Sequence, residues 1–200
     1  MNNNNSSKQV LVSILGVAIL IVAVVGISFA AFSYSKTGTV SNTITTGTIT
    51  MSYSEPTNGI NLTNALPITD LAGKSLSGDN NTFDFTVSAT VSGDTTINYA
   101  ITAVKGDGCT VDDGGIKVYL TDQQDTQILG PTKVNALTTT VAGNAAGAPA
   151  GQYILKTGTY SETTTDSYRL RMWVADDYTA PSTQQKYVLK VNVYGTAAAK

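Results

Sequence analysis

Acid–base and nucleophilic chemistry near neutral pH leans heavily on histidine, and this 200-residue chain has none. That removes imidazole general bases, Ser–His and Cys–His activation, and the His-containing zinc sites. The one cysteine, Cys109, sits in the turn-like stretch Gly106-Asp107-Gly108-Cys109-Thr110. With a single thiol no intramolecular disulfide can form. Its functional readings are an intermolecular disulfide or a reactive thiol, and its bland reading is an incidental loop or strand-end residue. Carboxylates cluster at Asp107, Asp112 and Asp113, and again at Asp176-Asp177. Calcium takes oxygen ligands from such loops, but the alternating Asp-x-Asp-x-Asp-Gly spacing is absent, so these read as solvated turn residues. The expectation is therefore a protein that is not an enzyme, with no catalytic, cofactor or metal site and no metal needed for folding.

Other short signals lead no further. Leu66-Pro67-Ile68-Thr69-Asp70 resembles a sortase sorting signal, except that Asp70 stands where glycine is required. Asn61-Leu62-Thr63 and Asn80-Asn81-Thr82 are formal glycosylation sequons, which an Asn- and Thr-rich chain produces by chance. Trp173 alternates out of phase with its apolar neighbours. It is read either as a subunit or ligand contact or as buried beneath the loop 176–185.

The elements that would position any site begin with an abrupt change of solvent. From Val10 to Phe32 the chain carries no charge and almost no polar residue, and about 20 apolar residues suffice for a helix to cross a bilayer. Lys8 is the only cation of the leader and predicts an N-terminus kept in the cytoplasm. Ser28 and Ala30, small residues two apart, suit signal-peptidase cleavage between Ala30 and Ala31. The run is longer than an ordinary secretory core, so retention as a transmembrane anchor competes with cleavage. Either outcome delivers the remainder to the cell surface or beyond. The net charge is −2, and there is no basic cluster, so no nucleic-acid partner is expected.

After residue 32 the pattern becomes that of strands, with apolar residues at every second position. Phe83, Phe85, Val87, Ala89 and Val91 alternate with Asp84, Thr86, Ser88 and Thr90, and Ser92-Gly93-Asp94 supplies a turn. Ile97, Tyr99, Ile101 and Ala103 follow, so the two stretches read as a hairpin. Ile116, Val118 and Leu120 alternate likewise, as do Tyr168, Leu170, Met172 and Val174, and then Tyr187, Leu189, Val191 and Val193. Weaker strands are expected at 48–53, 60–62, 138–141 and 153–155, and loops at 142–151 and 176–185, the latter as a hairpin loop. The interior should be lined by Phe83, Phe85 and Val87, by Ile97, Tyr99 and Ile101, and by Leu170, Met172, Leu189 and Val191. Eight or nine short strands predict an all-β, jelly-roll-like sandwich over 48–200. A Thr/Ser-rich segment at 31–47 and a signal or anchor at 1–30 precede it.

The stretch Ala31-Phe32-Ser33, followed by Ser41-Asn42-Thr43-Ile44-Thr45-Thr46-Gly47-Thr48-Ile49, resembles the N-terminal signature of the TasA/camelysin family. There, an export segment ends near a small–aromatic–Ser motif, and a stretch of Asn-Thr, an aromatic or aliphatic residue, any residue, a small residue, Gly-Thr and an aliphatic residue follows shortly after. The placement of 83–91, 168–175 and 186–194 is similar to strands of that family's jelly roll. The chain departs from it at Tyr34-Ser35-Lys36, where the family carries Asp, and at Leu76-Ser77-Gly78-Asp79, where it carries a Pro-Gly-Asp turn. The resemblance implies a matrix- or surface-associated protein that can polymerise, in which the segment freed by cleavage becomes a strand donated to the next subunit. One branch has been labelled a metalloprotease; without histidine or an HExxH motif that activity is not carried over.

Two functions follow as expectations. The first is an exported structural protein, a homopolymer building an extracellular fibre or biofilm matrix by strand addition. The second is a membrane-anchored surface sandwich acting as a binding module. The donor-strand candidates are Phe32, Tyr34, Val40 and Ile44; the competing role of 31–46 is a solvated stalk. Signal peptidase and, if the leader is retained, the membrane are the other expected partners.

Overall fold

The computed structural model describes residues 33–37, 42–46, 49–55, 60–63, 65–78, 81–179 and 185–199. The chain divides into two units, Met1–Ser33 and Tyr34–Lys200, and the described residues are Ser33 and those of the second unit. The apolar run, with Ala30, Ala31 and Phe32, lies outside the described residues.

Alternating burial sets the strands. In β5 (Thr82–Thr90), Phe83, Phe85, Val87 and Ala89 are buried while Asp84, Thr86 and Ser88 between them are half-buried. The other strands are β1 (Ser33–Thr37), β2 (Asn42–Thr46), β3 (Ile49–Ser54), β4 (Asn61–Thr63), β6 (Thr95–Lys105), β7 (Ile116–Asp122), β8 (Gln127–Lys133), β9 (Tyr153–Tyr160), β10 (Thr164–Val174) and β11 (Lys186–Ala199). One short helix, α1 (Asp70–Lys74), is capped by the Thr69 hydroxyl accepting from the Ala72 amide.

These strands form two sheets. One has the order β1-β11-β6-β9 with β4 also paired to β11, and the other the order β2-β3-β5-β10-β7-β8. Every pairing among β2 to β11 is antiparallel. The protein is thus an all-β sandwich among its described residues.

The expected hairpin of 83–91 with 97–103 is not one. β5 and β6 belong to different sheets, and the turn at Gly93, with φ 67°, carries the chain across the core. β10 and β11 are likewise split between the sheets, so the 176–185 loop is also a crossing. Alternation specifies which face of a strand is buried; two such strands satisfy it equally well side by side or face to face.

Of the ten residues expected to line the interior, nine are buried and Leu189 is half-buried. Phe85 is the hub of an aromatic group, with ring centroids 5.8 Å from Tyr53, 5.7 Å from Phe83 and 5.3 Å from Tyr168. Gly195 allows the sheets to approach: a Cβ there would stand 2.7 Å from the Met51 sulfur.

Both outer faces are covered as well. The connection 65–78 lies on one, where Gly73 of α1 meets the Trp173 ring so closely that a Cβ would stand 2.3 Å from it. Arg171 there donates to the Leu76 carbonyl at 2.7 Å and to Asp125 at 2.6 Å, and Lys117 pairs with Asp70 at 2.7 Å. The segment 137–152 covers the other face, with Gln152 joined to Thr102, Tyr194 and Asn192. This is why Tyr99–Ala103 and Leu170–Val174 are buried without interruption.

Removing the Phe85 ring by Phe85→Ala should cost about 3–5 kcal/mol and lower the thermal midpoint by roughly 10 °C in a domain of this size. An unchanged melting curve in differential scanning calorimetry would show that the aromatic hub is not the centre of the core.

Candidate functional site

A strand's backbone groups point alternately to its two edges, and β11 uses both. Along Leu189–Ala199 it pairs with Lys105–Thr95 of β6. Below that, the Gly106 amide donates to the Val188 carbonyl and the Thr110 amide to the Lys186 carbonyl, each at 2.9 Å. The Val188 amide in turn donates to the Cys109 sulfur at 3.1 Å, and the Lys186 amide to the Thr110 hydroxyl at 2.9 Å. Even-numbered residues of β11 therefore face β6 and the loop that continues it, and odd-numbered residues face the opposite edge.

That outer edge is where β4 pairs, with Tyr187 opposite Leu62. β1 lies on the same edge, because β11 separates it from β6. β4 and β1 are three and five residues long against fourteen in β11. On the other sheet β2 forms the edge beyond β3, with Asn42 opposite Tyr53 and Ile44 opposite Met51. The segment read as donor or stalk thus supplies an edge strand to each sheet. Tyr34 falls in β1 and Ile44 in β2; Val40, like Phe32, lies outside the described residues.

The far side of the sandwich is finished differently. β9 is capped by 138–140, with the Ile154 amide donating to the Thr138 carbonyl and the Thr140 amide to the Gln152 carbonyl, both at 2.8 Å. β8 carries Pro131 and pairs irregularly with β7. Proline and bulges are devices that stop an edge from recruiting further strands.

The start of β11 is clamped by a charged group that sequence reading took for a solvated turn residue. Asp113 accepts from Tyr187 of β11 at 2.9 Å and from Tyr153 of β9, and pairs with Lys105 of β6 at 2.9 Å. Burial raises the Asp113 carboxyl, but the hydrogen bonds from Tyr153, Lys105 and Tyr187 outweigh it and hold it below the ordinary carboxylate value. Its hydrogen bond and partial burial push the Tyr153 phenol up to about 12, and burial followed by Asp113 pushes the Tyr187 phenol up further. A carboxylate stabilised in this way is a poor base and its phenols poor acids, and its three partners tie β6, β9 and β11 together as a clamp. No local pattern announces it, since its partners come from three separate strands.

The other singled-out residues have partners within the chain. The Cys109 thiol donates to the Gly106 and Val188 carbonyls. Asp176 pairs with Lys117 and Asp177 with Lys133. Trp173 is buried and its ring meets Gly73 of α1, and its indole N–H has no hydrogen-bond partner among the described residues. Among the described residues no group of three His, Cys, Asp or Glu side chains is placed to hold a metal ion. No described helix is long and apolar enough to cross a membrane.

Compared with protein-family models, with curated proteins and with solved structures, the chain matches none.

The clamp has a pH signature. Asp113 is held below its ordinary value, so its contribution is present above about pH 4 and is lost as pH falls through the folded-state value. Tyr153 is raised, so its contribution is present below about pH 10 and is lost as pH climbs towards 12. Asp113→Asn should cost about 1–3 kcal/mol at pH 7 and flatten the loss of stability below about pH 4. Urea denaturation at stepped pH reads both effects; an acid limb identical to wild type would contradict the clamp.

Proposed function

We propose that this chain is an exported structural subunit that assembles with copies of itself into an extracellular fibre or surface matrix by strand addition. The single observation that supports the reading is that the segment following the apolar run supplies an edge strand to each of the two sheets. Backbone hydrogen bonds to an open edge give affinity, and alternate side chains entering pockets give register. A small apolar opening lined by Ile60, Phe83, Leu170, Met172, Leu189 and Val191 lies between the sheets beside the start of β11.

In this reading the fold is a jelly roll. From β4 onward the neighbours β4-β11-β6-β9 and β5-β10-β7-β8 are those of eight strands wound as two Greek keys. The leader is removed between Ala30 and Ala31 by signal peptidase, which frees the N-terminal strand; the role is structural rather than catalytic. Retention of the leader would instead leave a sandwich displayed on the membrane.

Mass spectrometry of the exported protein decides between the two, with an N-terminus at Ala31 expected. Deleting 31–36 from the mature chain should abolish polymers seen by electron microscopy while leaving a folded monomer. Unchanged fibres would sink the strand-addition reading.

A further inference from the structure

We propose that Tyr99 and Tyr160 are a site of covalent modification, to be joined ring to ring as a dityrosine by a peroxide-driven one-electron oxidant, with Asp166 receiving the phenolic proton. The site does not depend on how, or whether, subunits assemble.

Four observations carry it. First, the two rings are stacked. Tyr99 of β6 and Tyr160 of β9 stand with ring centroids 4.2 Å apart and planes 8° from parallel, and both are buried. The register sets Tyr99 opposite Gly158 and Ile97 opposite Tyr160, so the tyrosines are diagonal neighbours on one face of the sheet. Gly158 preserves the arrangement, since a Cβ there would stand 2.8 Å from the Tyr99 ring. A phenoxyl radical couples through ring p orbitals that stand perpendicular to its plane. Face-to-face rings therefore already lie along the direction of attack.

Second, the rings are stacked head to head. The Tyr160 hydroxyl donates to Asp166 Oδ2 at 3.1 Å, and the Tyr168 hydroxyl to the same oxygen at 3.0 Å. The Tyr99 hydroxyl lies 3.5 Å from that of Tyr168. Both stacked rings thus point their hydroxyls to one place. That sets the carbons flanking each hydroxyl, where a phenoxyl concentrates its unpaired electron, against one another.

Third, a base is in place. Burial holds the Tyr160 phenol well above its ordinary value, so oxidation must remove a proton along with the electron. Asp166 can take that proton along an existing hydrogen bond.

Fourth, the neighbouring phenol is guarded. Lys156 donates to the Tyr168 hydroxyl at 3.1 Å and stands 4.8 Å from its ring centroid, against 5.9 Å from that of Tyr99. A positive charge over a ring opposes loss of an electron from it, more strongly at Tyr168 than at Tyr99.

In the coupling each phenol gives up one electron and its hydroxyl proton, and the two radicals pair in a carbon–carbon bond beside the hydroxyls. The hydrogens on the bonded carbons leave as protons when the rings regain aromaticity, and both oxygens are reprotonated. The net loss is two protons and two electrons, the electrons being taken up by cleavage of one peroxide O–O bond. In a chain whose single cysteine allows no internal disulfide, the product ties β6 to β9 and restricts the unfolded chain as a disulfide would.

The test exposes the full chain, in mild detergent and too dilute for links between molecules, to ruthenium tris(bipyridyl), persulfate and light. The intact mass should fall by two hydrogens and dityrosine fluorescence should rise. Proteolytic mapping should join the peptide holding Tyr99 to the one holding Tyr160. Tyr160→Phe and Tyr99→Phe, which keep the rings, should each abolish the link, and Asp166→Asn should slow it at least about ten-fold. Links within the molecule that map to other tyrosines, or none while added free tyrosine is oxidised, would overturn the proposal on the wild-type chain alone, whether or not a variant folds. A link that survives either phenylalanine substitution, or forms as fast in folded Asp166→Asn, would overturn it too. So would an equal yield of the 99–160 link in urea, because the stacked geometry would then not be what selects the pair.

Discussion

An unpaired strand edge is a row of hydrogen-bonding groups that must find partners, and β11 places this requirement at the centre of the molecule. Its even-numbered backbone groups are satisfied by β6 and by the loop through Gly106 and Thr110. Its odd-numbered groups face β4 and β1. The same odd-numbered residues send Val191 and Val193 into the core, where both are buried. Core packing and edge pairing are therefore coupled along one strand, and a change in what covers the edge is felt by the side chains that hold the sheets together.

The clamp at Asp113 sets where that strand begins. It joins β6, β9 and β11 through one carboxylate, and it fixes the loop that extends the inner edge down to Lys186. Elsewhere the two long connections close the outer faces and the segment 138–140 closes β9. The far side of the sandwich is thus completed from within the chain. The near side is completed by strands from the segment that follows the apolar run.

Much of this architecture was legible because burial on one face imposes a period of two. β5, β6, β7, β10 and β11 all announce themselves by alternation. β8 does not: Gly130-Pro131 interrupts it, and its residues are half-buried or exposed rather than alternately buried. β9 runs on to Tyr160 through Thr157, Gly158 and Thr159, a stretch without an apolar repeat, and Gly158 is there because a Cβ would stand 2.8 Å from the Tyr99 ring. The stretch 138–141 contributes one bridge, Thr139 to Tyr153, instead of a strand. Which strands pair was less legible than which exist, since partner choice depends on contacts distant in sequence. The strand propensity of 31–46 was readable from its residues; its division between two sheets was not. The clamp was invisible because nothing local distinguishes Asp113 from Asp112.

Amide hydrogen exchange along β11 tests the central claim most directly, because alternate residues report opposite edges. In a monomeric chain of residues 31–200 the amides of Lys190, Asn192 and Tyr194 should be protected in any case. Those odd-numbered amides lying under β1, within Leu189–Ala197, should also be protected, and should lose protection in a chain beginning at Gly38 while the even-numbered set keeps it. Rapid exchange of every odd-numbered amide in that monomer would contradict the account, for it would mean that the outer edge of β11 stands uncovered.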